Sequence, residues 1–287
     1  MRTTAVHSPL VVAHSGCNGS PANTLASIAA AKEAGADAVE FDVQVLADGY
    51  PVLVHDPWIP QDGGMRVSVE TLTRDGVTES PELPSIGMVC DACATAGLRL
   101  NLDIKNGIAL PAVLDILKEH GFLDWTFLTG CRLADVGLGR GVGAGGADRS
   151  GRAEAGGAFS AAGSVSGGND SGLFPDQGQI LGVLPRSVDT LINVVREVRD
   201  PAFPVILDQL REYGFAGVNI EHTLLNPEII DRVHRRGLIV GTWTVDDDDT
   251  IHRVHDLAEN GATCDYVTTS VPDHFRSVYD SRGRRDE

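Results

Sequence analysis

Apolar and amphipathic segments alternate along most of the chain. The short apolar runs have the length of buried strands, and the longer stretches with helical spacing begin at capping residues and end at glycines. This pattern predicts strands that begin near residues 10, 38, 51, 98, 125, 180, 217, 238 and 266. It predicts helices over residues 24–34, 86–96, 109–120, 188–198, 204–213, 227–236 and 247–260.

Repeating strand and helix units of this kind are typical of a parallel α/β fold. One predicted strand is the returning arm of a hairpin, so about eight strands remain for a parallel sheet. This number favours a closed barrel over an open sheet. We therefore expect a (β/α)8 TIM barrel that occupies the chain as a single domain, residues 1–287.

Two segments depart from the alternating pattern. Residues 57–84 carry Pro, Gly and polar side chains without clear periodicity, and we expect a loop excursion over the mouth of the barrel. Residues 137–172 are dominated by Gly, Ala and Ser, which cannot bury enough apolar surface to offset the entropy of ordering. We expect a flexible insertion there, and the sequence leaves open whether it is a lid or inert.

Residues in the first third of the chain predict a hairpin that brings carboxylate and imidazole side chains together. Asp48–Gly49 is a strong signal for a two-residue turn, which would place Asp42 opposite His55 at roughly 5 Å between Cβ atoms. Glu40 points to the same face as Asp42, because side chains alternate along a strand. His14 ends the neighbouring predicted strand.

Buried carboxylates on one strand face repel each other unless a cation lies between them. Glu40 and Asp42 therefore indicate a metal site, although most such pairs belong to a solvated strand face. A later strand, residues 98–104, places Asn101, Asp103 and Lys105 on one face, either as a surface ion pair or as part of the same site. Polar groups at the carboxyl ends of barrel strands favour the second interpretation.

These motifs resemble those of the glycerophosphodiester phosphodiesterases, which share a barrel fold with the sphingomyelinase D toxins. The family pattern is a histidine after the first strand, then E-N-T, E-x-D and H-D. Its parts appear here as His14-Ser15-Gly16, Ala22-Asn23-Thr24, Glu40-Phe41-Asp42 and His55-Asp56. The resemblance extends over nearly the whole chain outside the Gly-rich segment.

The resemblance implies one divalent cation, Mg²⁺ or Ca²⁺, held by Glu40, Asp42 and Asp103; hard cations prefer such oxygen ligands. It implies that His14 and His55 act as base and acid in either order. The segment around Trp243 resembles the family's W-T-V-N, which makes Trp243 a wall of the substrate site or a core side chain. The expected substrate contacts are Lys105, Asn23, Trp243, Ser15 and, from its position at a strand end alone, Glu221.

Two departures from the family pattern leave the substrate open. The family has arginine where this chain has Ser15, and glutamate where it has Ala22. We expect a phosphodiesterase for a glycerophosphodiester-like diester. A lyase or transferase that yields a cyclic or exchanged product is the alternative among enzymes. A degenerate protein that only binds a phosphate ligand is the alternative of another class.

Composition and charge limit the binding partners and the cellular location that we expect. The net charge of −17 disfavours binding to nucleic acid or to an anionic membrane. The partner that the resemblance implies is a small-molecule phosphodiester. We expect neither a signal peptide nor a membrane-spanning segment, because no apolar run has the required length. Five widely spaced cysteines indicate reduced thiols and a cytoplasmic location. Cys90 and Cys93 form C-x-x-C within a predicted helix, more typical of core thiols than of a zinc or redox pair.

Overall fold

The fold is a closed parallel barrel, in a computed structural model that describes residues 8–60, 65–133 and 188–283. Within these residues the main sheet contains nine strands, of which only Pro51–Leu53 runs antiparallel to its neighbour. In chain order the strands of this sheet are β1 (Leu10–Ala13), β2 (Ala38–Val45), β3 (Pro51–Leu53), β6 (Arg99–Ile104), β7 (Thr126–Thr129), β8 (Asp189–Val194), β9 (Gly217–Glu221), β10 (Ile239–Trp243) and β11 (Tyr266–Thr269). Strand β1 pairs with both β11 and β2, which closes the eight parallel strands into a ring.

Helices follow most of the barrel strands and pack on the outside. Those within the described residues are α1 (Leu25–Glu33), α2 (Ile86–Ala96), α3 (Leu110–Glu119), α4 (Phe203–Tyr213), α5 (Pro227–His234), α6 (Asp248–Glu259) and α7 (Pro272–Gly283). Their ends follow ordinary capping chemistry: Ser85 caps α2 with its side chain, and Gly97 ends it in the left-handed conformation. None of these helices has the length and apolarity needed to cross a membrane.

The inside of the barrel is divided into an apolar end and a polar end. At the amino-terminal end, a buried cluster that includes Val12, Phe127 and Tyr266 fills the ring, with the Phe127 and Tyr266 ring centroids 4.8 Å apart. Because side chains alternate, the residues two positions later on the same strands also point inward. These positions are polar, as at Thr129 and Thr268. The sequence therefore closes one end with apolar packing and leaves a polar mouth at the other.

The predicted TIM barrel is confirmed, and most predicted elements agree with the structure within a few residues. One helix is wrong: residues 188–198 contain strand β8 and a short 3₁₀ turn. Short apolar runs of this kind satisfy both helical and strand patterns. The predicted strand near residue 180 and the Gly-rich segment 137–172 lie outside the described residues.

The predicted hairpin register is wrong by one position. The structure pairs Val43 with Leu53 and Val45 with Pro51, which places Val54 rather than His55 opposite Asp42. The turn between β2 and β3 is longer than two residues, because the Leu46 N–H donates to the carbonyl of Tyr50. Gly49 takes a positive φ of 84° within this turn, a conformation that glycine adopts without strain.

The excursion over residues 57–84 contains more regular structure than its sequence predicts. Strands β4 (Trp58–Pro60) and β5 (Arg66–Ser68) form a separate antiparallel pair. Ile59 and Val69 from this segment join Leu46 and Val52 of the hairpin in a small apolar cluster. This cluster attaches the excursion to the barrel beside the carboxyl end of β3.

Gly217 lies where β9 and β10 approach too closely for any side chain. A Cβ atom at this position would stand 2.0 Å from the carbonyl oxygen of Ile239. We expect Gly217→Ala to lower the free energy of unfolding by about 1–3 kcal/mol, measured by chemical denaturation. Gly76→Ala is the control, because its Cβ would meet nothing closer than 3.6 Å. Equal stability of the two variants would contradict this account of strand packing.

Candidate active site

A polar pocket of about 270 Å³ opens at the carboxyl end of the barrel strands. Side chains from nearly every strand of the barrel point into it. The residues that line it are His14, Glu40, Asp42, His55, Asn101, Asp103, Lys105, Thr129, Asn193, Asn219, Trp243, Thr244 and Thr268. Seven of the ten side chains predicted for the site are therefore brought together.

Three carboxylates form the acidic centre of this pocket. Oxygen atoms of Glu40, Asp42 and Asp103 all lie within 4.8 Å of one another. Glu40 and Asp42 alternate on β2, and the register of β2 with β6 places Asp103 beside Asp42. Glu40 and Asp42 are buried, and Asp103 is partly exposed to the pocket. The barrel thus concentrates like charges in a region with little water.

The Lys105 ammonium offsets part of this charge, and the environment shifts the pKa values of the carboxyl groups. Burial raises the pKa of Glu40 well above its usual range, and the charges of Asp42 and Asp103 add to the effect. Burial would also raise the pKa of Asp42, but Lys105 and the amide of Asn23 lower it below its ordinary value. The Lys105 ammonium lies 2.7 Å from Asp42 and also pairs with Asp103.

These donors fit a hard divalent cation. All three side chains offer carboxylate oxygens, which Mg²⁺ and Ca²⁺ prefer, and none offers sulfur or imidazole nitrogen. Lys105 can balance only one of the three negative charges, so the fully ionised cluster has room for two more positive charges. The raised pKa of Glu40 is the expected consequence when this charge is balanced by protons instead.

The two pocket histidines each leave one ring nitrogen for chemistry. Nδ1 of His14 lies 3.1 Å from the carbonyl oxygen of Ser15, which can only accept, so this nitrogen carries the hydrogen. Nδ1 of His55 lies 3.0 Å from a carboxylate oxygen of Asp56 in the same arrangement. In each ring Nε2 is then the nitrogen that can take up or release a proton.

Ser15 and Asn23 hold the carboxylates in place. The Ser15 N–H donates to Glu40 at 2.8 Å, and its hydroxyl accepts from the Asn23 N–H at 2.7 Å. The side-chain amide of Asn23 donates to Asp42 at 2.9 Å, while its oxygen accepts from the Asp42 N–H at 2.8 Å. Neither residue lines the polar pocket, so their predicted contact with substrate stays a prediction.

Trp243 and Glu221 end neighbouring strands but differ in position. Trp243 lines the pocket, and its Nε1 is buried without a hydrogen-bond partner among the described residues. Glu221 does not line the pocket; its carboxylate accepts from the Thr223 hydroxyl at 3.0 Å. On the same strand, Asn219 reaches the pocket instead.

Several polar pocket residues were not singled out from the sequence. Thr129 donates its hydroxyl to Asn101 at 2.9 Å or to Asp103 at 3.1 Å, and Asn219 donates its amide to Asn193 at 3.1 Å. Their signal was the position two residues beyond an inward apolar residue, as Thr129 follows Phe127. These positions can be recognised as pocket positions only when the strands and their inward faces are known.

TIM-barrel enzymes build their active sites at the carboxyl end of the strands, so fold and pocket together define a barrel enzyme with an acidic, imidazole-bearing site. The model of the glycerophosphoryl diester phosphodiesterase family matches residues 14–107 and 186–269. The chain belongs to this family of phosphoric diester hydrolases. The resemblance noted in the sequence is thereby confirmed, as is the enzyme class.

Individual relatives agree with this assignment. A glycerophosphodiester phosphodiesterase of Caldanaerobacter subterraneus subsp. tengcongensis is 28% identical over 131 residues, which are 39% of this chain and 54% of that protein. The chain thus matches about half the length of that relative. An Oleispira antarctica phosphodiesterase has a TM-score of 0.65 at 18% identity, covering 95% of this chain and 97% of that one. The Thermotoga maritima glycerophosphodiester phosphodiesterase gives 0.65 at 17% identity, covering 95% and 99%. At these identities the two structures support the fold.

Proposed function

We propose that the chain is a metal-dependent phosphodiesterase that cleaves a glycerophosphodiester-like substrate with His14 and His55 as acid and base. The observation that carries the proposal is the convergence of both imidazoles, the carboxylate cluster and Lys105 on one pocket. A protein that only bound phosphate would have no need of the acid–base pair. The Oleispira antarctica structure holds sn-glycerol-3-phosphate as product, which supports a glycerol phosphate ester as substrate.

Glu40, Asp42 and Asp103 would hold Mg²⁺ or Ca²⁺. When bound there, such a cation would supply positive charge against the negative charge that grows on the phosphoryl oxygens. Lys105 contributes a second positive charge, and its two ion pairs with Asp42 and Asp103 fix the ammonium in the pocket. Position 15 carries a serine, which supplies no positive charge, and its hydroxyl accepts from the Asn23 N–H. Charge neutralisation therefore rests on Lys105 and the cation.

His14 and His55 divide the proton transfers. One imidazole enters neutral and takes a proton from the attacking hydroxyl at Nε2, while the other enters as imidazolium and gives its Nε2 proton to the departing alkoxide. The two rings end with exchanged protonation states, which proton exchange with water restores. Imidazole suits both tasks near neutral pH, because it exchanges protons there without a large energetic cost. The attacking group is water or a neighbouring hydroxyl of the substrate. In the second case a cyclic phosphate forms first, which is the lyase alternative.

Phosphorus NMR with a panel of phosphodiesters tests the activity. We expect turnover with Mg²⁺ or Ca²⁺ that stops on addition of chelator and returns with the metal. The chemical shift of the product separates a phosphomonoester from a cyclic phosphate. Metal binding without turnover of any diester would contradict the hydrolase and favour the phosphate-binding alternative.

Asn23 offers a test of the metal site that does not depend on turnover. We expect Asn23→Ala to weaken Mg²⁺ or Ca²⁺ binding by about 10–100-fold, because Asp42 loses the amide that orients it. Asn18→Ala is a matched control, because Asn18 and Asn23 both have a positive φ, of 51° and 57° respectively. Asn18, however, donates a hydrogen bond to Asp273 and to none of the three carboxylates. Isothermal titration calorimetry measures both. Equal affinity in the two variants would contradict the assigned metal site.

A cytoplasmic location is part of the proposal. All five cysteines lie in described residues and are buried, and none forms a disulfide. Burial raises the pKa of the Cys90 and Cys93 thiols to about 12, as expected of core side chains rather than reactive thiols. An oxidising compartment is not needed to stabilise this fold.

A further inference from the structure

A second cavity, of about 610 Å³, lies beside the polar pocket. His55 lines both, so a molecule bound at the catalytic centre can extend from one into the other. Asn23 forms part of the cavity wall and bonds Asp42 behind it. The larger cavity therefore borders two residues of the catalytic site.

Apolar residues form about half of the wall of this cavity. Leu53 and Val54 come from the end of the barrel hairpin, and Trp58, Ile59 and Leu83 come from the excursion over residues 57–84. Trp58 keeps 38% of its surface exposed, so part of its ring is accessible to a bound molecule. Pockets of roughly 300–1,000 Å³ hold ligands of drug size, so this cavity exceeds what glycerol would fill.

Ala22 lies in the cavity wall next to the catalytic site. It lines the cavity, is exposed, and precedes Asn23, the residue that orients Asp42. It also occupies the position at which the E-N-T motif has glutamate. A methyl side chain there leaves apolar space beside the catalytic centre where the family pattern would place a carboxylate.

We propose that this cavity binds the alcohol substituent of the phosphodiester, that this alcohol carries an apolar portion larger than glycerol, and that Ala22 is a specificity-determining residue. The inference rests on the proposed function of the neighbouring pocket. The carboxylates of Asp56 and Glu82 also line the cavity, which favours a neutral substituent over an anionic one. Arg66 lies over the Trp58 ring, 5.6 Å from its centroid, and forms part of the same wall.

A homologous series of substrates tests the proposal. Methyl, butyl and octyl esters of glycerol 3-phosphate differ only in the length of the apolar group. We expect kcat/KM to rise with chain length, by up to about fourfold for each methylene that the cavity removes from water. The same kcat/KM for all three esters would overturn the apolar subsite but leave the phosphodiesterase intact. Absence of turnover for every ester would overturn the proposed function itself, and the subsite with it.

Two variants locate the subsite, with the octyl-to-methyl ratio of kcat/KM as readout. Ala22→Glu introduces a charge at the junction, and Thr78→Trp places a large side chain into the cavity from an exposed position. We expect each to reduce the ratio at least tenfold. Thr73→Trp is the control, because Thr73 belongs to the same excursion, is exposed and does not line the cavity. An unchanged ratio in both cavity variants would overturn the assignment.

Discussion

Replacing His14 or His55 by alanine is expected to lower kcat on the preferred diester by about 10²–10⁴-fold, the usual contribution of general acid–base catalysis. Metal affinity should change little, because neither ring bonds a carboxylate of the Glu40, Asp42 and Asp103 cluster. Metal-saturated turnover and calorimetric metal binding measure the two quantities separately. Loss of turnover with intact metal binding would identify the histidines as proton-transfer groups.

His120→Ala provides the matched control for these variants. His120 lies at the end of α3 and pairs with Asp91 at 3.2 Å, outside the polar pocket. We expect its kcat to remain within about twofold of the unsubstituted protein, as for a surface change. A loss in His120→Ala as large as that in His14→Ala would indicate a general effect of losing an imidazole, and would contradict the assigned roles.

Lys105→Met is expected to cause the second largest loss of activity. It should lower the rate of catalysis without weakening metal binding. Without the ammonium, kcat/KM should fall by about 10²–10³-fold, because a fixed positive charge no longer faces the phosphoryl group. Metal affinity should hold or increase, because Lys105 competes with the cation for Asp42 and Asp103. A large loss of metal affinity in this variant would contradict the electrostatic account of the cluster.

The same variant should also destabilise the metal-free protein. Asp42 and Asp103 would lose their shared counter-charge, and breaking a buried ion pair costs about 3–5 kcal/mol. We expect denaturation in chelator to show this loss, and saturating Mg²⁺ or Ca²⁺ to restore most of it. Lys118→Met is the control, because Lys118 is exposed on α3. Equal stability of both variants in chelator would show that the carboxylates do not depend on Lys105.

The acidic centre was predictable because it depends on local rules. Alternation along β2 places Glu40 and Asp42 on one face, whatever the register with neighbouring strands. Alternation along β6 does the same for Asp103 and Lys105. The prediction of the carboxylate cluster therefore did not depend on the hairpin register, which was wrong. His55 lines the pocket from the segment after β3 rather than from a position opposite Asp42.

The opposite wall of the pocket could not be predicted in this way. Asn193 lies on β8, which the sequence pattern assigned to a helix because its apolar run satisfies both periods. Glu221 was predicted only from its position at a strand end, whereas Asn219, two residues earlier on the same face of β9, lines the pocket. Only the folded chain shows how far each side chain reaches. Long-range strand order decides these positions, and local spacing does not contain it.

Closure of the barrel through β1 ties activity to the last part of the chain. The N–H of His14 donates to the carbonyl of Thr269, so a residue near the start of the protein is positioned by a strand near its end. A chain that has not yet acquired β11 cannot hold this imidazole in place. The onset of turnover during refolding or synthesis would therefore report the moment at which the ring becomes complete.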